Sequence, residues 1–370
     1  MANIPHYVCG VIPPHILTRV AGQTSDEASG NARATLEHMR ELATGRAAAS
    51  LIELPGVTTE AAPPRKRRHV YDAKHLFKLP GRLAMSEQKP RGTDLEVTEA
   101  FEGSGATYDF FAAVFGRTSI DGKGLRLDST VHYGERFENA LWNGRQMVYG
   151  DGDGRIFKRF TASVDVIAHE LTHGVTQFAA ALGYAGQTGA LNEHLSDAFG
   201  IMVKQYTLGL SANESDWLIG AELFGPEVSG AAVRSMASPG SAYDDPILGR
   251  DPQPSHMRDY VETTEDNGGV HINSGILNRA FHLAAMAIGG KSWEVLGRIW
   301  YAALTDRLKP EADFADFTRA TVDLAGELFG NGGRVQRIIA EAWNEVGLSI
   351  TPRAAAMLAH ASKWRQRPAR

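Results

Sequence analysis

The segment Val166-Ile-Ala-His169-Glu170-Leu-Thr-His173-Gly-Val175 holds the residue types and spacing of a metal-dependent hydrolytic centre, inside a stretch of helical pattern. Positions four apart share one face of an α-helix, so the imidazoles of His169 and His173 can converge on one ion. Glu170 is turned about 100° from His169, close enough to reach water on that ion without ligating it. The spacing is that of zinc-dependent proteases, in which the Glu acts as general base. Such a site needs a third protein ligand and an open position for water. Gly189-Ala-Leu-Asn-Glu193-His-Leu-Ser-Asp197-Ala-Phe-Gly200 also reads as helical, with Glu193 and Asp197 on one face, opposite Leu191, Leu195 and Phe199. One carboxylate can bind the ion while the other accepts the free N–H of a ligating His. His194 competes as third ligand but is rotated about 100° from Glu193, and Glu193 is preferred.

These motifs, His169-Glu170-Leu-Thr-His173 followed by Gly189-Ala-Leu-Asn-Glu193, resemble those of the thermolysin-like metalloproteases. Further family signatures occur in order: Ser129-Thr-Val-His-Tyr-Gly134, Asn139-Ala-Leu-Trp142-Asn-Gly144, Met147-Val-Tyr-Gly-Asp-Gly-Asp-Gly154, Arg234-Ser-Met236 and Asp266-Asn-Gly-Gly-Val-His271-Ile-Asn-Ser-Gly275. The likeness runs from about Arg68 to Leu348.

The resemblance implies a zinc endopeptidase made as a zymogen, with one catalytic zinc bound by His169, His173 and Glu193. It implies that Asp197 orients His169 and that Glu170 takes a proton from zinc-bound water and returns it to the leaving amine. Tyr184 and His271 fall where the family stabilises the oxyanion, and Asp266 where it steadies that His. Asn139, Ala140 and Arg234 match the positions that grip the substrate backbone. Val166, Ile219 and Val233 match the apolar pocket for the residue after the scissile bond, so bulky apolar residues are expected there. Calcium binding is a family trait, but Lys204, Leu218 and Ala221 stand where carboxylates are expected beside Asp165 and Asp216. The double calcium site is therefore expected to be lost, with Lys204 paired to Asp165 or Asp216. Asp151-Gly-Asp153-Gly154 lacks the later acidic ligands of an EF-hand and reads as a tight turn.

The elements needed to position these side chains give an α+β expectation, implied by the family as a two-domain thermolysin-like zincin with the cleft between its domains. Residues 66–165 contain short alternating runs such as Leu125–Val131 and many glycines, and read as β-rich. Helical periodicity dominates later, at Ile276–Ile288, Trp293–Leu308, Phe314–Phe329 and Arg334–Val346. The expected division is a pro-segment at 1–48, a linker or activation region at 49–64, a β-rich N-terminal catalytic domain with the H-E-x-x-H helix at 65–186, a helical C-terminal catalytic domain at 187–349 and a tail at 350–370.

The short pro-segment resembles that of the protealysin-like branch, on the strength of Ile12-Pro13-Pro14-His15-Ile16-Leu17. Residues 14–44 read as one or two short amphipathic helices, and 45–64 as a linker. Two locks are weighed: Pro13-Pro14-His15 lying in the cleft as an uncleavable mimic, or Cys9 binding the open zinc position as thiolate. The Arg65-Lys-Arg-Arg68 run reads as a solvated strand edge, with a role in processing nearby as the alternative.

The chain has 370 residues, 43% hydrophobic and 22% charged, with formal net charge −5. That balance gives no reason to expect nucleic-acid partners. No apolar run reaches the roughly 18 residues of a membrane span. The single Cys excludes an intrachain disulfide. Residues 1–10 lack a charged start and an apolar run of about 7–15 residues, so no ordinary secretory signal is read. The family implies secretion; non-classical export or a cytoplasmic precursor are the alternatives. The expected partners are protein or peptide substrates and the chain's own pro-segment. A non-peptide hydrolase and an inactive binding protein are the competing readings. A structural zinc protein would need a fourth ligand to close the site.

Overall fold

The computed structural model describes residues 9–23, 27–49, 65–89 and 92–349. The N-terminal segment, expected to be a pro-segment, supplies strand β1 (Cys9–Gly10) and helices α1 (Pro14–Gln23) and α2 (Glu27–Ala49). Then follow β2 (Arg68–Asp72), β3 (Arg82–Ser86), α3 (Leu95–Phe115), β4 (Leu127–Val131), β5 (Ala140–Trp142) and β6 (Met147–Tyr149). Helices α4 (Val164–Ala179) and α5 (Gly186–Leu208) come next, then a hairpin of β7 (Leu218–Ile219) and β8 (Arg234–Ser235). The described residues end in α6 (Asp266–Ile288), α7 (Ser292–Asp306), α8 (Phe314–Phe329) and α9 (Arg334–Glu345).

One mixed sheet runs β1-β5-β6-β4-β2-β3. Its β2–β4 and β4–β6 pairs are parallel, and the rest antiparallel. Helices α3 and α4 pack against it, α5 lies along α4, and α6 lies along α5. Helix α4 is buried continuously from Asp165 to Gln177, and α5 from Gly189 to Gln205. A helix covered on all sides is a central one, and its position is fixed by packing.

The region expected to be β-rich contains the 21-residue helix α3. Asp94 caps it by accepting the Val97 N–H at 3.0 Å, and left-handed Gly116 ends it. Two glycines on this helix permit close approach: a Cβ at Gly103 would lie 2.4 Å from Ile167 Cδ1, and one at Gly105 would lie 2.1 Å from Arg68 Nη1. The Ala-rich start of the expected linker is helical as well. Helix α2 runs through Ala49, as the high helix propensity of alanine favours.

The basic run is solvated at Arg65 and Arg67, which are exposed, but it does not lead into an edge strand. Strand β2, which begins at Arg68, lies between β3 and β4. Arg68 Nε donates to Glu87 Oε1 at 2.9 Å, Lys66 pairs with Asp109 at 2.5 Å, and Arg67 Nη2 donates to Gly124 O at 2.7 Å. The turn reading of residues 151–154 agrees with Asp153 Oδ1 accepting the N–H groups of Arg155 and Ile156, both at 2.8 Å. Residues 50–64 of the expected linker and the expected tail at 350–370 lie outside the described residues.

Candidate active site

His169 and His173 stand one turn apart on α4, fully buried, with Nε2 atoms 3.1 Å apart. Glu193 reaches them from α5, its Oε2 3.5 Å from His169 Nε2 and its Oε1 3.4 Å from His173 Nε2. A tetrahedral ion with bonds of about 2.0–2.1 Å needs ligand atoms about 3.4 Å apart, so the triangle fits zinc. Glu193 Oε2 is buried with no hydrogen-bond donor among the described residues, an oxygen that a cation would satisfy. His194 turns away: its Nδ1 faces Asn278 at 2.8 Å and its Nε2 accepts from Trp300 at 2.8 Å.

The other nitrogens of the two imidazoles face oxygen. His169 Nδ1 lies 2.8 Å from Asp197 Oδ1, and His173 Nδ1 lies 3.0 Å from Asn192 Oδ1. Protonation at Nδ1 therefore leaves each Nε2 lone pair aimed at the centre. Asp197 also accepts Arg234 Nη2 at 2.8 Å and Asn278 Nδ2 at 2.8 Å. Burial raises its pKa, but Arg234 and His169 more than offset this and hold it far below the usual carboxylate range. Asn192 and Asn278 were not singled out from sequence. Asn192 precedes Glu193 and could have been found; Asn278 leaves no local signal.

Glu170 is fully buried. Its Oε2 accepts the Trp142 N–H at 2.9 Å, while Oε1 has no hydrogen-bond partner among the described residues. Burial, reinforced by Glu193, raises its pKa well above the ordinary value. Burial lowers His173 to about 3. Burial also lowers His271, but Asp266 and Glu193 outweigh it and set its pKa at about 9.

His271 reaches the site because α6 opens with left-handed backbone at Asp266, Asn267, Gly268 and Gly269. Asp266 accepts His271 Nδ1 at 2.6 Å and the His271 N–H at 2.8 Å. His271 Nε2 then sits 3.5 Å from Glu193 Oε2 and 3.3 Å from Tyr184 Oη. The Tyr184 hydroxyl donates to Glu193 Oε1.

The N-terminal segment crosses this site as an extended chain. Cys9 and Gly10 pair antiparallel with Trp142 and Leu141. The Val11 N–H donates to Ala140 O at 3.1 Å, and Val11 O accepts Arg234 Nη1 at 3.1 Å. Asn139 grips Ile12 from both sides, accepting its N–H at 3.0 Å and donating to its carbonyl at 3.1 Å. These backbone contacts belong to Val11 and Ile12, immediately before the Pro13-Pro14-His15 stretch that the mimic reading named. Pro14 instead opens α1, a position where a missing N–H costs nothing. His15 is half-buried with Nε2 3.1 Å from Tyr243 Oη, and desolvation lowers its pKa to about 4. The Cys9 side chain lies outside the described residues.

Val166, Ile219 and Val233 are all buried, on the first turn of α4 and on the β7–β8 hairpin. The Val233 N–H donates to Ile219 O at 3.0 Å. Lys204 Nζ lies 2.9 Å from Asp216 Oδ2 and 3.6 Å from Asp165 Oδ2.

Comparison with known proteins matches residues 61–177 to the thermolysin metallopeptidase catalytic domain and 180–348 to its alpha-helical domain. An extracellular metalloprotease of Pectobacterium carotovorum subsp. carotovorum is 50% identical over 344 residues, 93% of this chain and 97% of the relative. Protease PrtS of Photorhabdus sp. (strain Az29) is 43% identical over 92% of each chain. The solved precursor of protealysin, a metalloproteinase from Serratia proteamaculans, superposes with a TM-score of 0.84 at 46% identity, covering 92% of this chain and 100% of that one.

Proposed function

The chain belongs to the thermolysin metallopeptidase family and is a zinc endopeptidase made as a zymogen; from that premise we propose how its own residues divide the work. His169, His173 and Glu193 hold one zinc ion, with Asp197 and Asn192 fixing the two imidazoles. Zinc held there supplies a Lewis acid for the scissile carbonyl and lowers the pKa of water towards about 7. Glu170 accepts the proton of the attacking water and delivers it to the leaving amine, its carboxylate held in place by the Trp142 N–H. Tyr184 and protonated His271 donate to the developing oxyanion, each worth roughly 2.7–4 kcal/mol by analogy with other acyl-transfer sites. Asp266 keeps His271 protonated and aimed.

Substrate backbone takes the bonds that Val11 and Ile12 make, to Ala140, Arg234 and Asn139. Val166, Ile219 and Val233 then form the pocket for the residue after the cut, with a broad apolar preference, because a methylene discriminates by only about 1–3 kcal/mol. The same ladder makes the pro-segment an intramolecular inhibitor. Lys204 replaces calcium beside Asp165 and Asp216. Secretion is supported by the extracellular metalloprotease among the relatives.

The observation that carries this reading is the convergence of three buried ligand atoms, from His169, His173 and Glu193, beside the buried carboxyl of Glu170. Glu170→Gln should leave zinc stoichiometry and fold intact while cutting hydrolysis of a blocked Gly-Leu peptide by about 10²–10⁴. A processed variant that still cleaves at the wild-type rate would refute the assignment. The assembled Glu170, Tyr184 and His271 argue against an inactive binding protein.

A further inference from the structure

A second cluster of metal-ligating side chains lies among the residues that the mechanism leaves unused. His75 sits in the loop between β2 and β3 and His132 just after β4, with φ of 58° and 52°. Such backbone is costly for a non-glycine residue and persists where the surroundings demand it. The His75 N–H donates to His132 O at 2.9 Å, which locks the two residues side by side. Both Nδ1 atoms face one carboxylate: His75 Nδ1 is 3.4 Å and His132 Nδ1 2.9 Å from Asp151 Oδ2. On the far side of its ring, His132 Nε2 lies 3.1 Å from Asp94 Oδ2. One ring nitrogen towards a shared centre and the other backed by a carboxylate is the usual posture of a metal-bearing imidazole. The His75 side chain is 59% exposed, which leaves an entry path and room for water.

We propose that His75, His132 and Asp151 form a second, solvent-open zinc site, with Asp94 as the positioning residue behind His132. Two imidazoles and a carboxylate suit zinc, whereas calcium would need six to eight oxygens. Asp94 and Glu96 also group with His132 on the Nε2 side, but Asp94 Oδ1 is engaged in capping α3. The ion therefore belongs on the Nδ1 side.

The His75 loop also carries Phe77, whose ring lies 4.1 Å from that of His38 on α2 and edge-on to Tyr133 at 5.5 Å. An ion on His75 would tie to the sheet the aromatic face on which the pro-segment rests.

Calorimetric titration of the zinc-loaded zymogen with zinc chloride tests the site. Wild type should take up one further equivalent with micromolar affinity, and its melting temperature should rise with zinc by mass action. His75→Ala, an exposed and structurally mild change, and Asp151→Asn should both lose that equivalent while keeping the first. Asp94→Asn should keep it with affinity weakened on the order of 10–100-fold. The site is overturned if wild type takes up no further zinc at about 100 µM free metal, or if folded His75→Ala binds it as wild type does. Unchanged affinity in Asp94→Asn would remove Asp94 from the assignment.

Discussion

Glu138 is fully buried, and neither carboxyl oxygen has a hydrogen-bond donor among the described residues. Its own N–H donates to Thr35 Oγ1 of α2 at 3.1 Å, so the residue lies directly at the pro-segment boundary. Burial, with a contribution from Asp153, pushes its pKa up from 4.5 to about 9. The unfolded chain releases this proton near 4.5 and the folded zymogen only near 9, so between these values the folded state holds the extra proton. Stability from this group is therefore greatest at the acidic end and falls as pH rises through that window. Glu138→Gln should flatten the fall, read as converging urea midpoints at about pH 5 and about pH 8.5. An unchanged difference between the midpoints would show that Glu138 ionises freely in the fold. Its neighbour Asn139 makes two bonds to Ile12. Asn139→Ala should weaken inhibition of the processed enzyme by a peptide spanning residues 9–23 by about 1–3 kcal/mol, roughly 5–150-fold.

Among the elements, what was legible depended on whether side chains or backbone carried the information. The zinc triad could be read because two ligands share one helix and the third heads a polar string on the next. Helix α8 was read to its ends, since Phe314, Phe317 and Val322 keep one face and Gly330 stops it. Helix α3 was missed because Gly103 and Gly105 blur its periodicity while meeting a need for close packing that only the fold reveals. Val11 and Ile12 were missed because they act through peptide groups, which every residue shares. The Lys204 expectation belongs to this scale too, since it binds α5 to the start of α4 and to the segment before β7. Asp165 is fully buried, and burial raises its pKa against the opposing pull of Lys204. Lys204→Met should cost about 3–5 kcal/mol by stranding that carboxylate, while calcium chloride added to the zinc-loaded wild type should leave its melting temperature unchanged. A clear rise with calcium would restore calcium to the molecule.

At the scale of the whole molecule, the pro-segment is built into the fold. Ile16, Leu17 and Val20 of α1 and Ala28 and Ala32 of α2 are buried in the same core as the catalytic helices. Met39 and Leu42 of α2 pack on a satellite cluster containing Tyr133, Phe137 and Leu141. Maturation must therefore strip an apolar cover as well as a strand.

When β1 leaves, the rim of the sheet at β5 keeps carbonyl and amide groups with nothing to pair. It will accept main chain almost irrespective of what hangs from it, provided that chain can straighten. A tightly folded target offers no such stretch until some part of it comes loose. Digestion of native proteins should then track how often each one breathes, so a series of destabilised mutants of one target would be cut in order of their opening free energies.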